Sequence, residues 1–394
     1  IDLGVMIDRQ LIVDAVKREK ADLVGVSGLI TPSLGEMEQL CRLMQEEGLR
    51  VPLIVGGATT SAVHTAVKLA PLYDYCVVDG GDASRTVGVV KRLLNDREAY
   101  ILEIKERQEQ LREAHRARNT RLVALEEARR RATRHDPSSF AAPGFGEHDL
   151  LGTRVDIGHF VGRIDWTPFF HFWGFKGKYP GIVHVNEEAA RVHESAVEHL
   201  GEIIAGQEFD AAVAARFFDA YAENDDIVLE GKHRLPMLRQ QEEGSQFLSL
   251  ADFVAPCGEG TSTVGLFCLK VADKYPRGDG RDFEQLLRES LLARLAEAFA
   301  EWMQTSVDGG YHVIRPAFGY PTCPDHSLKR DVFELLDATR NVGVTLTDNY
   351  SMFPATSICG MLITHPAARY FSTGKIGDDQ LQDYSRRRAG IVKM

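Results

Sequence analysis

Three short clusters in the first quarter of the chain combine glycine with hydroxyl side chains. They are Ser27-Gly28-Leu29-Ile30-Thr31, Gly56-Gly57-Ala58-Thr59-Thr60 and Gly80-Gly81-Asp82-Ala83-Ser84-Arg85-Thr86. Glycine lets a backbone approach a flat or bulky ligand closely, and hydroxyls offer neutral hydrogen bonds. Such residues suit a large, mostly uncharged ligand, and equally suit ordinary strand-to-helix turns with Ser or Thr caps. A phosphate cradle is disfavoured, because neither a Walker A nor a GxGxxG pattern occurs. Further on, Cys323-Pro324-Asp325-His326 has the C-x-x-H spacing of two zinc ligands. No second pair of ligands is evident in the sequence around it, so no metal site is expected.

The pattern around the glycine clusters supplies a scaffold for them. Residues 2–6, 23–27, 51–55 and 75–78 read as strands. Asp8 can cap a helix running to Lys20, with Leu11, Ile12, Ala15 and Val16 on one face. Further helices are expected over the stretch carrying Met37, Leu40, Cys41 and Met44, over 61–69 and over 82–94. Apolar strands alternating with helices predict a parallel sheet covered on both faces. Ligands of such sheets bind beyond the C-terminal strand ends, where the clusters lie.

Residues 96–136 interleave Arg and Glu and predict a solvated helix laced with i,i+3 and i,i+4 pairs. The run Arg129-Arg130-Arg131 is offset by glutamates and is not read as a nucleic-acid patch. Asp136-Pro137 and Pro143-Gly144 mark a linker. Beyond it, helical patterns near 187–204 and 283–302 and strand-like runs at 226–230, 262–271 and 357–364 predict an α+β region with an antiparallel sheet.

A length of 394 residues fits two or three domains. A net charge of -11 argues against a nucleic-acid partner held by phosphate contacts. No run of about 18 apolar residues occurs, so neither a transmembrane helix nor a membrane partner is expected. The six cysteines lie far apart, which fits reduced thiols in the cytoplasm. The N-terminus has no basic segment and is not expected to be a signal peptide. The sequence opens on Ile1 inside an expected strand, so a piece of a longer protein is expected.

Several longer blocks carry a family resemblance. Asp2–Met6, Val26–Leu34, Ile54–Ser61 with His64–Lys68, and Ala83–Val90 resemble the cobalamin-binding domain of cobalamin-dependent methionine synthase. Asp165–Phe170, Gly177–Pro180, Leu238–Gln241, Leu250–Pro256, Arg294–Glu301, Ile314–Ala317 and Gly319–His326 resemble that enzyme's reactivation domain. The blocks keep the family's order and span nearly the whole chain, whereas the linker and residues 184–235 match poorly.

The resemblance implies a flavodoxin-like (Rossmann-like) α/β cobalamin domain over 1–95, a charged helical linker over 96–140, and an α+β reactivation domain over 141–394. It implies a methyltransferase that passes a methyl group from 5-methyltetrahydrofolate to homocysteine through cobalamin. This part would bind cobalamin and reductively remethylate cob(II)alamin with S-adenosylmethionine. A long charged linker would let the domains exchange positions. Ser27 and Thr31 would contact the dimethylbenzimidazole tail, Gly56 and Gly57 would let it pass, and Ala83, with Gly81 near it, would line its far side. Asp165, Glu297, Arg315 and the pair Tyr370-Phe371 would hold S-adenosylmethionine, with backbone from Pro316 through Ala317 to Gly319, and Tyr320 beside it. Phe371 stands where the family often has Tyr.

The family's axial histidine lies in a DxHxxG loop after the first strand of the sheet, and this sequence contains no DxHxxG. Its four expected strands would begin at the family's second strand, leaving the sheet with two unpaired inner edges. His64 sits where the family has an ordinary helix-face histidine and is not expected to replace the axial ligand. The resemblance further implies a monomer that works with flavodoxin or an equivalent reductase and with upstream folate and homocysteine domains. The family's zinc belongs to those upstream domains. The alternative reading is a stand-alone reactivation or corrinoid-binding protein that serves a separate methyltransferase.

Overall fold

The computed structural model describes residues 1–28, 32–81, 83–117, 121–140, 149–275 and 282–391. The chain divides into two units, Ile1–Thr120 and Arg121–Met394.

In the first unit, Asp8 accepts a hydrogen bond from the Gln10 amide at 2.7 Å and so starts helix α1 (Arg9–Glu19). The chain continues through β1 (Val24–Ser27), α2 (Pro32–Glu46), β2 (Leu53–Gly56), α3 (Ala62–His64, running on as a π-helical Thr65–Leu69), β3 (Val77–Gly81), α4 (Ala83–Asn95) and α5 (Arg97–Ala117). The three strands are parallel in the order β1-β2-β3. Ser27 pairs with Gly56 and Gly56 with Gly81, so all three strands end at one edge. One side of the sheet packs Leu53, Val55 and Val77 against Val13, Val16, Met37, Leu40, Cys41 and Met44. The other packs Ile54 and Val78 against Leu93, Ile101 and Ile104.

Two expectations are corrected here. Residues 2–6 form no strand. Gly4 and Met6 take φ of 89° and 54°, which breaks an extended backbone, and Val5 stays exposed. Residues 96–140 are not a separate solvated linker between two domains. Helix α5 belongs to the first unit: its Ile101 and Ile104 are buried, and Gln108 donates to the Val77 carbonyl at 2.7 Å, satisfying the outer edge of β3. Lys105 and Arg112 donate to the carbonyls of Asp74 and Ala66 at 2.8 and 3.0 Å. The next helix, α6 (Leu125–Arg131), belongs to the second unit.

The second unit continues through β4 (Leu150–Arg154), α7 (Thr167–Phe172), α8 (Gly181–Val185), α9 (Glu187–Ala205), β5 (Phe209–Glu223), β6 (Asp226–Leu229), β7 (His233–Pro236), β8 (Ser262–Asp273), α10 (Phe283–Val307), β9 (Val313–Ile314), α11 (Leu328–Leu336), α12 (Ala338–Val342), β10 (Thr345–Leu346), β11 (Met352–Phe353), β12 (Ser357–Thr364) and α13 (Asp378–Ile391). Its main sheet is antiparallel, in the order β7-β6-β5-β8-β12-β9, with β4 paired to β5.

Both faces of this sheet are covered. Ala211, Val213, Phe267, Leu269 and Leu362 point toward α7, α9 and α10. Ala212, Ala214, Leu266, Cys268 and Met361 point toward α11 and α12. The Leu238–Gln241 and Leu250–Pro256 blocks meet in the interior. Arg239, 3% exposed, donates to both oxygens of Asp252 at 2.9 and 2.6 Å and to Asp225 at 2.8 Å. Gln380 of α13 locks the same segment by bonding the Arg239 amide and carbonyl at 2.7 and 2.9 Å. Among the described residues, no helix is long and apolar enough to cross a membrane.

Candidate ligand sites at the strand ends and beside Arg315

The first unit brings Ser27, Gly28, Gly56 and Gly57 together at the C-terminal edge of its sheet. The Gly28 amide donates to the Gly56 carbonyl at 2.9 Å, and Thr59 donates its hydroxyl to the Gly28 carbonyl at 3.1 Å. Gly57 has φ of 102°, and a Cβ there would stand 2.2 Å from the Gly28 carbonyl oxygen. The two backbones therefore touch with no room for a side chain. We expect Gly57→Ala to destabilise this unit by about 2 kcal/mol or more in urea unfolding; an unchanged midpoint contradicts the contact. Ser27 is exposed at the end of β1 and Gly56 is half-buried beside it. Thr31 lies outside the described residues, as does the side chain of Ala83, whose backbone opens α4. His64 follows the cap made by Ser61, and its ring nitrogen Nδ1 is buried without a hydrogen-bond partner. Burial, first of all, lowers its pKa.

The second unit assembles its site on β9 and α10. Arg315 leaves the end of β9, and its amide donates to the Tyr370 hydroxyl at 2.8 Å. Its guanidinium lies 5.9 Å over the Phe267 ring and 3.8 Å from the Glu297 carboxylate of α10. That side chain is only 17% exposed, and its Nε is buried with no partner. An arginine held in place with an unused donor is prepared for a carboxylate.

The following residues form a rigid turn. The Pro316 carbonyl accepts from the Met361 amide at 3.0 Å, and Ala317 bridges to Gly360. A Cβ on Gly360 would meet the Pro316 oxygen at 2.6 Å. The Gly319 amide donates to the Cys323 carbonyl at 2.7 Å, and the Cys323 amide donates back to Tyr320 at 2.9 Å. Tyr320 is 64% exposed. Loss of hydration and the Glu297 carboxylate raise its pKa, with Arg315 opposing them. Arg315, Glu297, Tyr320 and Tyr370 thus form one polar cluster, exposed at Glu297 and the two tyrosines and mostly covered at Arg315.

Two further expected residues sit differently. Asp165 is exposed and accepts from the amide of Thr167, the first residue of α7, at 2.9 Å. Just before it, Arg163 pairs with Glu301, one turn along α10 from Glu297, at 3.6 Å. The Asp165 segment therefore runs along the same helix, with no direct contact from Asp165 to Arg315. Phe371 packs its ring against the core. Thr322, which the sequence did not single out, holds the Phe371 backbone: its hydroxyl donates to the carbonyl at 2.6 Å and accepts from the amide at 3.3 Å. Cys323 is buried in the core, where burial raises its pKa, and among the described residues no group of three or more metal-ligating side chains gathers.

The family model described as the vitamin B12 dependent methionine synthase activation domain matches residues 156–389, more than half of the chain. The chain belongs to that family. A second model, the B12 binding domain, matches residues 1–88. Among solved structures, a MetH reactivation domain bound to AdoHcy is similar with 30% sequence identity and a TM-score of 0.63, covering 68% of this chain and 95% of that one. The chain thus pairs a B12-binding domain with a methionine synthase activation domain. Both models fall on the units that carry the two sites, and the activation-domain match contains Arg315, Glu297, Tyr320 and Tyr370.

Proposed function

We propose that this chain is the C-terminal part of a cobalamin-dependent methionine synthase, and that it uses S-adenosylmethionine to restore the methylated cofactor. The whole enzyme, on this reading, carries a methyl group from 5-methyltetrahydrofolate to homocysteine. The observation that carries the proposal is Arg315: a half-buried guanidinium with an unpaired Nε beside an exposed carboxylate. S-adenosylmethionine has a carboxylate for the arginine, and an ammonium and a sulfonium for acidic neighbours.

The roles of the residues follow from their chemistry. Arg315 grips the ligand carboxylate through its guanidinium. Glu297 and Asp165 offer negative charge to the cationic groups. The turn from Pro316 to Tyr320 presents backbone to the adenine, and Tyr370, fixed by the Arg315 amide, borders the site. In the first unit, the touching Gly28 and Gly57 backbones leave a flat edge on which Ser27 is an exposed neutral donor. Such an edge fits an aromatic tail, and Thr31 and Ala83 complete the proposed contacts. Cobalamin, when bound, supplies the cobalt that accepts and passes on the methyl group. A flavodoxin-type reductase and folate and homocysteine domains are the proposed partners of a cytoplasmic, monomeric chain.

Calorimetric titration of the chain with S-adenosylhomocysteine, the demethylated form of the donor, tests the proposal. Saturable one-to-one binding is expected. A folded chain that takes up neither this ligand nor S-adenosylmethionine overturns it.

A further inference from the structure

We propose that His326 is a positioning residue for the ligand-binding turn: a neutral imidazole, pinned at Nδ1 by the Lys329 ammonium, on which Gly319 and Tyr320 are seated. The inference rests on the function proposed above for what the turn binds.

Three observations converge on it. The His326 ring lies directly behind Gly319, so that a Cβ there would stand 1.8 Å from its Cε1 atom, and Gly319 has φ of 91°. Lys329, only 4% exposed, sets its Nζ 3.1 Å from His326 Nδ1 and donates to the Tyr350 carbonyl at 3.0 Å. An ammonium only donates, so Nδ1 accepts and the ring proton belongs on Nε2. That Nε2 is buried and has no partner. A histidine that leaves a buried donor unpaired is not explained by its own hydrogen bonding, whereas its fit under the turn accounts for its place.

Among the described residues, two charged groups act on the ring. Lys329 is one. The other is Asp325, whose carboxylate accepts from the Ser327 amide and hydroxyl at 2.7 and 2.9 Å and from Tyr384 at 2.6 Å. Burial and then Lys329 push the His326 pKa down to about 4, with Asp325 opposing them. The ring is therefore neutral at physiological pH. Protonating it would put a second buried cation beside Lys329 and disturb the turn.

The test combines binding with magnetic resonance on the whole chain, labelled with [15N]histidine and [15N]tyrosine. In binding, His326→Ala should weaken S-adenosylhomocysteine roughly tenfold. Gly319→Ala should weaken it at least as much. Adding His326→Ala to Gly319→Ala should restore part of that loss, because the ring that clashes with the new methyl is gone. In the resonance experiment on the unliganded chain, the Tyr320 amide should shift with the same acid midpoint as His326. Lys329→Met should move that midpoint up, since a neighbouring cation is removed.

Unchanged ligand affinity in His326→Ala overturns the proposal, as does a double variant no better than Gly319→Ala. If His326→Ala does not fold, the wild-type titration decides: a Tyr320 amide that ignores the His326 midpoint overturns it. A wild-type chain that binds no S-adenosylhomocysteine sinks the proposed function instead, and the resonance experiment still judges the positioning role.

Discussion

Arg315→Ala should lose roughly 2–4 kcal/mol of S-adenosylhomocysteine binding, about thirtyfold to a thousandfold in Kd. The expectation comes from what the guanidinium already does and does not do. Its contact with Glu297 is long, at 3.8 Å, and that carboxylate side chain is 53% exposed, so the pair contributes little to folding. Its Nε works against folding, because a donor buried without an acceptor loses hydration and gains no bond. A ligand carboxylate engaging the guanidinium would bring a charge-assisted pair into a partly dry site. The variant should therefore lose affinity while its unfolding midpoint moves by less than about 1 kcal/mol in free energy. Arg315→Lys should rescue little, since an ammonium lacks the fork that engages both carboxylate oxygens. Calorimetry and urea unfolding on the same samples separate the cases. Full affinity in Arg315→Ala removes the residue from the site, and a large loss of stability assigns it to the fold.

Arg239→Ala should act in the opposite way, with a destabilisation of about 3–5 kcal/mol at neutral pH. Arg239 holds Asp252 through two bonds and reaches Asp225, which is completely buried. Asp225 keeps Arg129 at 2.8 Å, so Asp252 is the carboxylate left without a cation. Burial already raises the Asp252 pKa, with Arg239 opposing. A carboxyl whose folded pKa is raised favours folding at low pH and loses that contribution as pH rises through the folded value. Removing Arg239 raises the value further. The deficit of the variant should thus be largest near pH 7 and shrink as the buffer approaches about pH 4. Urea unfolding at several pH values reads this directly, and a deficit independent of pH would falsify the ion-pair account.

Much of the first unit was readable because its elements follow simple periodicities. The helix α2 stripe of Met37, Leu40, Cys41 and Met44 is buried as expected. Helix α5 reads as solvated because, among its described residues, Ile101 and Ile104 are the buried apolar ones, and its further anchor is the amide of Gln108. The central strand β5 was missed for a different reason. Its sequence FDAAVAARFFDAYAE contains six alanines, a residue that favours helix. Both of its faces are buried, so the alternation that marks a half-exposed strand is absent.

The candidate sites divide in the same way. Arg315, Glu297 and Tyr370 were reached through what the family resemblance implies, and the structure brings them into one cluster. Thr322, His326 and Lys329 serve that cluster from behind. They act on backbone atoms and through contacts made only in the folded chain, so no spacing announces them. The C-x-x-H pattern drew attention to His326 for metal chemistry, while its ring lies beneath a glycine.

The contact between Gly28 and Gly57 bears on how descent should be read in this family. Because a methyl group at Gly57 has no space whether or not any ligand is present, selection for folding alone would keep that glycine. Lineages that had abandoned the cofactor would keep it as faithfully as lineages that use it. Ser27, exposed at the strand end, is under no such packing constraint and, if it makes the contact proposed above, would be free to drift once binding ceased. A survey of related genes should therefore weigh the serine, and discount the glycine, when it asks which members still carry their ligand.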